Sequence, residues 1–302
     1  MRTVLIDYRR VKKPLNWKNL IVEIGFGRGD FILELAKKNP DRKILGFEIS
    51  GISIGKLIKR IKKESISNLY CVQLDAYWGF YLLLEEESVD KIYINYPDPW
   101  FKKRHHKRRL TCAENLYLFS KKLSKDGEIN IRTDHLPFAE YTIEQASKIK
   151  AFKIHFKKLC VSNPLTKYEE KWLSMGKDLH EIILIKEKNP IPLTIRELKE
   201  VKMLFPIKVK GKNPVLQKLL GKEVKLEERI YLRFFKVYRG SSGEFLIETL
   251  ISEEGFVQRF FITLYPKGEV WIVDISPFSQ ILRTEGLQKA VEFVAKEVFT
   301  FP

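Results

Sequence analysis

Cysteine is scarce in this 302-residue chain: Cys71, Cys112 and Cys160 are its only three, and no two form a C-x-x-C pair. That supports neither a disulfide framework nor a zinc site, and it fits a reducing cytosol. Long apolar runs are also missing. No stretch approaches the roughly 20 residues that a membrane-spanning helix needs, so no membrane partner is expected. The opening MRTVLIDYRRVKK lacks the apolar centre of a secretory signal, and a cytoplasmic protein is the expectation. There is no internal repeat and no low-complexity tract. Gln is sparse beside Lys and Glu, a balance compatible with a thermophile. Acidic residues fall short as well, with 38 Asp and Glu against 55 Lys and Arg, a net charge of +17. Such an excess suits a polyanionic partner, nucleic acid above all, although a plain solvated basic surface would give the same count. The excess is uneven: residues 1–189 carry 37 basic and 24 acidic side chains, net +13, and residues 190–302 carry net +4.

What is present is enough apolar material, 44% of the residues, for full cores in two domains. Up to about residue 188 strands and helices alternate. LIVEIG (20–25), KILGFEI (43–49), LYCVQLD (69–75), DKIYINY (90–96) and GEINIRTD (127–134) read as strands. GDFILELAKKN (29–39), ISIGKLIKRIKK (52–63), TCAENLYLFSKKL (111–123, with Thr111 as N-cap) and a segment near 137–149 read as helices. FKIHFKKL (152–159) and HEIILIKEK (180–188) read as two late strands. The alternation predicts an α/β fold with a mostly parallel sheet. KNPIPLT (188–194) reads as a linker, giving domains 1–188 and 189–302. Beyond it, RIYLRFFKVYRG, EFLIETLIS, GFVQRFFITLYP and GEVWIVDIS suggest four strands joined by glycine-bearing turns, followed by one amphipathic helix over 284–299. This is a small α+β domain of different style.

Ligands of parallel sheets bind at the carboxyl ends of the strands. Glu23, Glu48, Asp75, Asp98 and Asp134 each lie within or just past such an end. EIGFGRGD (23–30) places Gly25, Gly27 and Gly29 between the first strand and its helix, where glycine permits a tight turn and close approach to a ligand. The spacing is GxGxG, not the GxGxxG of dinucleotide folds, and a plain structural turn would also use glycine. Glu48 ends the second strand, where a carboxylate can accept two ribose hydroxyls. Asp75 and Ala76 follow the third, suitably placed for an adenine amino group. The ordered set resembles the S-adenosylmethionine site of Rossmann-like methyltransferases, in which the residue matching Glu23 lies near the cationic methionine end. NAD is the rival cofactor, but neither a second glycine spacing nor a pyrophosphate-binding helix start is seen.

NYPDPWFKKRHHKRRL (95–110) sets one acid, Asp98, between two prolines and runs it into six Lys and Arg. Four segments in order, VEIGFGRGDF (22–31), NYPDPWFKKRHHKRRL, IRTDH (131–135) and LTKYEEKWLSMG (165–176), resemble the motifs of the tRNA (guanine-N7-)-methyltransferases. The resemblance covers about residues 15–188. Tyr96 stands where the family usually has Phe, and Phe101 where Pro or His is common. The C-terminal domain lies outside the common pattern.

The resemblance implies a class I S-adenosylmethionine-dependent methyltransferase fold, with helices on both faces of a twisted sheet. It implies methyl transfer to N7 of guanine at position 46 in the tRNA variable loop. By the same resemblance Asp98 is the catalytic carboxylate and also faces the cofactor, Lys102 contacts the substrate, and Asp134, Thr166, Lys167, Tyr168 and Glu169 complete the guanine pocket. Lys103, Arg104, Lys107, Arg108 and Arg109 are expected to contact RNA phosphates, which position without reading sequence. Trp100 either stacks on a base or packs under the loop. His105 and His106 lack a partner at metal-ligand spacing, so no metal is assigned. No DNA partner is expected. An RNA-binding protein that keeps the fold without catalysis is the second reading, and the complete acid set speaks against it. For the C-terminal domain, Lys208, Lys210, Lys212, Lys218 and Lys222 suggest an additional tRNA clamp; stabilisation or a subunit contact are the other readings.

Overall fold

Three short runs with almost no exposed side chain, LIVEI, ILGFE and LYCVQ, form β1 (Leu20–Ile24), β2 (Ile44–Glu48) and β3 (Leu69–Gln73). Such runs have no solvent face and belong inside a sheet covered on both sides. The computed structural model describes residues 4–102, 104, 109–159, 174–175, 178–211 and 213–299. It divides into two compact units, Met1–Ile195 and Arg196–Pro302.

In the first unit β4 (Val89–Asn95), β5 (Leu123–Thr133), β6 (Phe152–Leu159) and β7 (Leu179–Lys186) complete a seven-stranded sheet in the order β3-β2-β1-β4-β5-β7-β6. β1 to β5 pair in parallel, and β7 runs antiparallel to both β5 and β6. The strand order reverses between β1 and β4, the place where open α/β sheets take their ligands.

Alternation within β2 sorts the helices onto two faces. On one side Ile44 joins the core of α1 (Asp30–Lys38) and α2 (Gly51–Lys63), together with Phe31, Ile32, Leu57 and Ile61. On the other, Phe47 lies 5.5 Å from Phe80 of α3 (Ala76–Leu83), and Phe80 lies 4.4 Å from Phe119 of α4 (Ala113–Lys122). α5 (Leu136–Ile149) packs next to α4.

Helix α3 escapes the sequence reading. Seven of the eight residues of AYWGFYLL are buried, so the segment has no polar face to betray a helical period. The expected N-cap of α4 also moves. Cys112 occupies the cap position, while the Thr111 hydroxyl turns inward to the Thr142 hydroxyl at 2.8 Å.

The second unit is a six-stranded antiparallel sheet, two strands more than expected. β8 (Ile207–Lys210), β9 (Glu223–Glu227), β10 (Ile230–Arg239), β11 (Phe245–Glu253), β12 (Phe256–Lys267) and β13 (Val270–Ile275) lie in the order β8-β13-β12-β11-β10-β9. The two missed strands, IKVK and EVKLE, are the edges. Their shortness and charge, which blunt edge pairing, also hide them in the sequence. α6 (Glu285–Val298) packs Leu287, Val291, Val294 and Val298 into the core of this unit.

One glycine of β2 matters to the site. A Cβ on Gly46 would stand 2.6 Å from the Phe26 ring and 2.7 Å from Ile32, so its absence seats Phe26, the residue between two loop glycines, against the sheet. Gly46→Ala is expected to lower stability by about 1–3 kcal/mol through overpacking, read as a lower urea midpoint at unchanged m-value.

Candidate active site

The loop after β1 is built from residues of opposite demand. Gly25 and Gly27 have φ of 73° and 50°, and a Cβ on either would meet no protein atom within 4 Å. Left-handed backbone is what glycine supplies, and the open space beside it faces a cavity of about 210 Å³. That cavity is lined by Glu23, the loop 25–31, Ser53, Asn95 and Tyr96. Phe26 is buried and anchors the loop from below.

Glu23 is 2% exposed. Its Oε1 accepts a hydrogen bond from Asn95 Nδ2 at 3.1 Å, which ties β1 to β4 at the strand reversal. Its Oε2 and Asn95 Oδ1 are both buried and have no hydrogen-bond partner among the described residues. Burial pushes the Glu23 carboxyl up to about 8 from an ordinary 4.5; the Asn95 hydrogen bond opposes the shift, and the nearby Glu48 and Asp30 carboxylates add to it.

Glu48 turns back on the loop. Its Oε2 accepts from Gly27 N at 3.0 Å, and its Oε1 accepts from Ile49 N at 2.8 Å and Ser50 N at 3.0 Å. The residue expected to meet a ribose therefore also pins the glycine loop to the β2–α2 turn. Asp75 is exposed and N-caps α3, accepting from Tyr77 N at 2.9 Å. Ala76 is the buried first residue of that helix.

Asp98 follows β4 and is exposed, as are Phe101, Lys102 and Arg104. Two non-glycine residues in left-handed backbone, Tyr96 at φ 52° and Trp100 at φ 44°, bracket Pro97-Asp98-Pro99. Proline removes backbone donors on both sides of Asp98. Among the described residues no hydrogen bond holds the Asp98 carboxylate, which is exposed. Asp134 stands half-buried just past β5. Phe101 meets the His135 ring edge-on at 4.9 Å.

The assignment of Arg109 as a phosphate contact is corrected. Its side chain is 3% exposed; Nε donates to the Pro99 carbonyl at 2.7 Å and the guanidinium lies over the Tyr141 ring at 4.5 Å. Burial lowers the pKa of this guanidinium. A group enclosed in this way does not present its charge to the surface. Lys103, His105, His106, Lys107, Arg108, Cys160, Thr166, Lys167, Tyr168, Glu169 and Lys212 lie outside the described residues.

The sequence reading missed Asn95, although the quoted motif begins with it. Asn95 is two residues beyond Tyr93, which pairs with Glu23, so Asn95 shares the face of Glu23 across the parallel ladder, a register that only the folded sheet reveals.

Among the lysines offered as a clamp, Lys222 pairs with Glu297 of the same unit, while Lys208, Lys210 and Lys218 are exposed. No described helix is long and apolar enough to cross a membrane.

Comparison with known proteins agrees with this arrangement. A family model described as "Putative methyltransferase" matches residues 18–182. The chain is 51% identical over 291 residues to a tRNA (guanine-N(7)-)-methyltransferase of Aquifex aeolicus, covering 96% of this chain and 98% of the relative. It is 32% identical to the enzyme of that name from Thermotoga maritima, covering 94% and 93%. A relative of the same name from Buchnera aphidicola is 36% identical over 169 residues, 54% of this chain and 71% of its own. The acid-and-glycine cradle, the PDPW segment and these relatives together place the chain in the tRNA (guanine-N(7)-)-methyltransferase family of class I S-adenosylmethionine-dependent enzymes.

Proposed function

We propose that this enzyme transfers a methyl group from S-adenosylmethionine to N7 of a guanine in tRNA, leaving 7-methylguanosine. The target position that the family motifs imply is 46, in the variable loop, and the cytoplasm is where such a substrate is met. The observation that carries the reading is Asp98: an exposed carboxylate on a constrained turn at the strand reversal, leading directly into a cationic segment.

The residues fit the cofactor. Glu23 Oε2 and Asn95 Oδ1 are orphaned acceptors in the cavity wall, and an amino acid ammonium group has the donors that both lack. Glu23, Asn95, Gly25 and Gly27 would hold the methionine end, and Glu48, Asp75 and Ala76 the nucleoside, with Asp98 at the boundary toward the base. S-adenosylmethionine supplies an activated methyl group on a sulfonium.

The protein's own task follows from the acceptor. Guanine N7 offers a lone pair and carries no proton, so no general base is required there. What remains is alignment, and proximity and orientation supply much of the rate. The Asp98 carboxylate can accept from guanine N1–H and from the N2 amino group, adjacent donors that no other base presents in the same pattern. That contact selects guanine and shifts electron density toward N7. Lys102, and the cations that follow it, suit the phosphates of the same RNA.

Two expected outcomes test this. Incubation with unmodified tRNA yields 7-methylguanosine on nucleoside analysis, and Asp98→Ala loses about 100-fold in turnover while calorimetry still detects cofactor binding; unchanged turnover would remove Asp98 from the mechanism. The second concerns Glu23. Between pH 4.5 and about 8 the folded carboxyl keeps a proton that the unfolded chain has lost, so the folded state binds more protons and stability falls as pH rises through this window. Denaturation of the ligand-free protein at pH 5 and pH 8 is expected to show a steeper loss in wild type than in Glu23→Gln; parallel curves would refute the assignment.

A further inference from the structure

Arg109 ends the basic run but behaves unlike its exposed neighbours Lys102 and Arg104. Its backbone is rooted in the protein. The Arg109 carbonyl accepts from Cys112 N at 3.2 Å, and the Leu110 carbonyl accepts from Asn115 Nδ2 at 3.0 Å. The Thr111–Thr142 hydroxyl pair is wholly buried. From this footing the side chain reaches back ten residues to the Pro99 carbonyl, with its guanidinium over Tyr141 at 4.5 Å and Phe138 at 5.7 Å.

The turn it reaches needs support at both ends. Tyr96 and Trp100 hold left-handed backbone that side-chain-bearing residues keep only when their surroundings enforce it. On the upstream side, Tyr96 N donates to the Arg132 carbonyl at 2.8 Å and extends the β4–β5 ladder by one rung. Downstream the ladder has ended. Pro97 and Pro99 have no N–H to give, and Arg109 takes the carbonyl of Pro99, the residue directly after Asp98.

We infer that Arg109 is a positioning residue for methyl transfer, a strut between α5 and the Pro99–Trp100 peptide that sets the direction of the neighbouring Asp98 carboxylate. Its planar guanidinium can stack on Tyr141 and aim Nε–H at Pro99 together, which a lysine ammonium cannot do. The inference rests on the proposed role of Asp98.

The test uses the full chain with unmodified tRNA and measures kcat, KM, cofactor affinity and the salt dependence of tRNA binding separately. Arg109→Lys and Arg109→Gln are expected to lower kcat by about 10- to 100-fold, with KM for tRNA, cofactor affinity and salt slope unchanged. Tyr141→Leu shares part of the loss and Tyr141→Phe, which keeps the ring, does not. Ethylguanidinium restores part of the kcat of Arg109→Ala. Wild-type kcat in Arg109→Lys would overturn the inference. So would weaker tRNA binding with a salt slope reduced by about one unit, which marks a lost phosphate contact. Variants that melt earlier yet keep full kcat while folded would overturn it too, leaving Arg109 a stabilising residue only. A wild-type chain that forms no 7-methylguanosine would instead overturn the function proposed above, so the two failures are distinct.

Discussion

The hydrogen bond from Asn95 to Glu23 joins the two strands between which the sheet reverses its order. It ties together the starting points of the two loops that matter. The glycine loop leaves β1 one residue after Ile24, and the Pro-Asp-Pro turn leaves β4 two residues after Asn95. If β1 and β4 were not neighbours, the cradle and the exposed acid would belong to different surfaces. The same bond satisfies only half of each partner. Burial keeps the remaining Glu23 and Asn95 oxygens away from water, and an unmet buried acceptor costs free energy until a ligand supplies the donor.

Around that bond the carboxylates divide their labour by environment. Glu23 is enclosed, and burial raises its carboxyl to about 8, with Glu48 and Asp30 adding to that effect. Glu48 spends both oxygens on backbone N–H groups and makes the glycine loop part of the β2–α2 turn. Asp75 caps a helix. Asp98 alone of these four has no described hydrogen bond, on a turn whose backbone is the most constrained of the site. An exposed carboxylate on a rigid support, without a hydrogen bond among the described residues, fits the base recognition proposed for it.

The cationic segment is likewise two things. Lys102 and Arg104 are exposed to solvent, where long basic side chains can follow a polyanion. Arg109 is withdrawn under the turn and meets a carbonyl and two rings. Composition counts them alike, because a sequence records charge and not direction. Burial separates them, since a desolvated guanidinium is retained only where stacking and hydrogen bonding offset its lost hydration.

Much of this protein was legible in the order of its residues. The buried runs of β1 to β3, the acids past the strand ends and the PDPW segment are local patterns, and local patterns report strand, turn and family without any knowledge of the fold. Helix α3 was not legible, because a helix buried all round has no polar face, and neither were the edges β8 and β9, whose charge masks their pairing. The partner of Glu23 and the inward turn of Arg109 were decided by tertiary structure alone. Each depends on residues 72 and 10 positions apart meeting across a strand reversal or a turn. The free energy of such contacts comes from which neighbour excludes water, and no spacing rule encodes that.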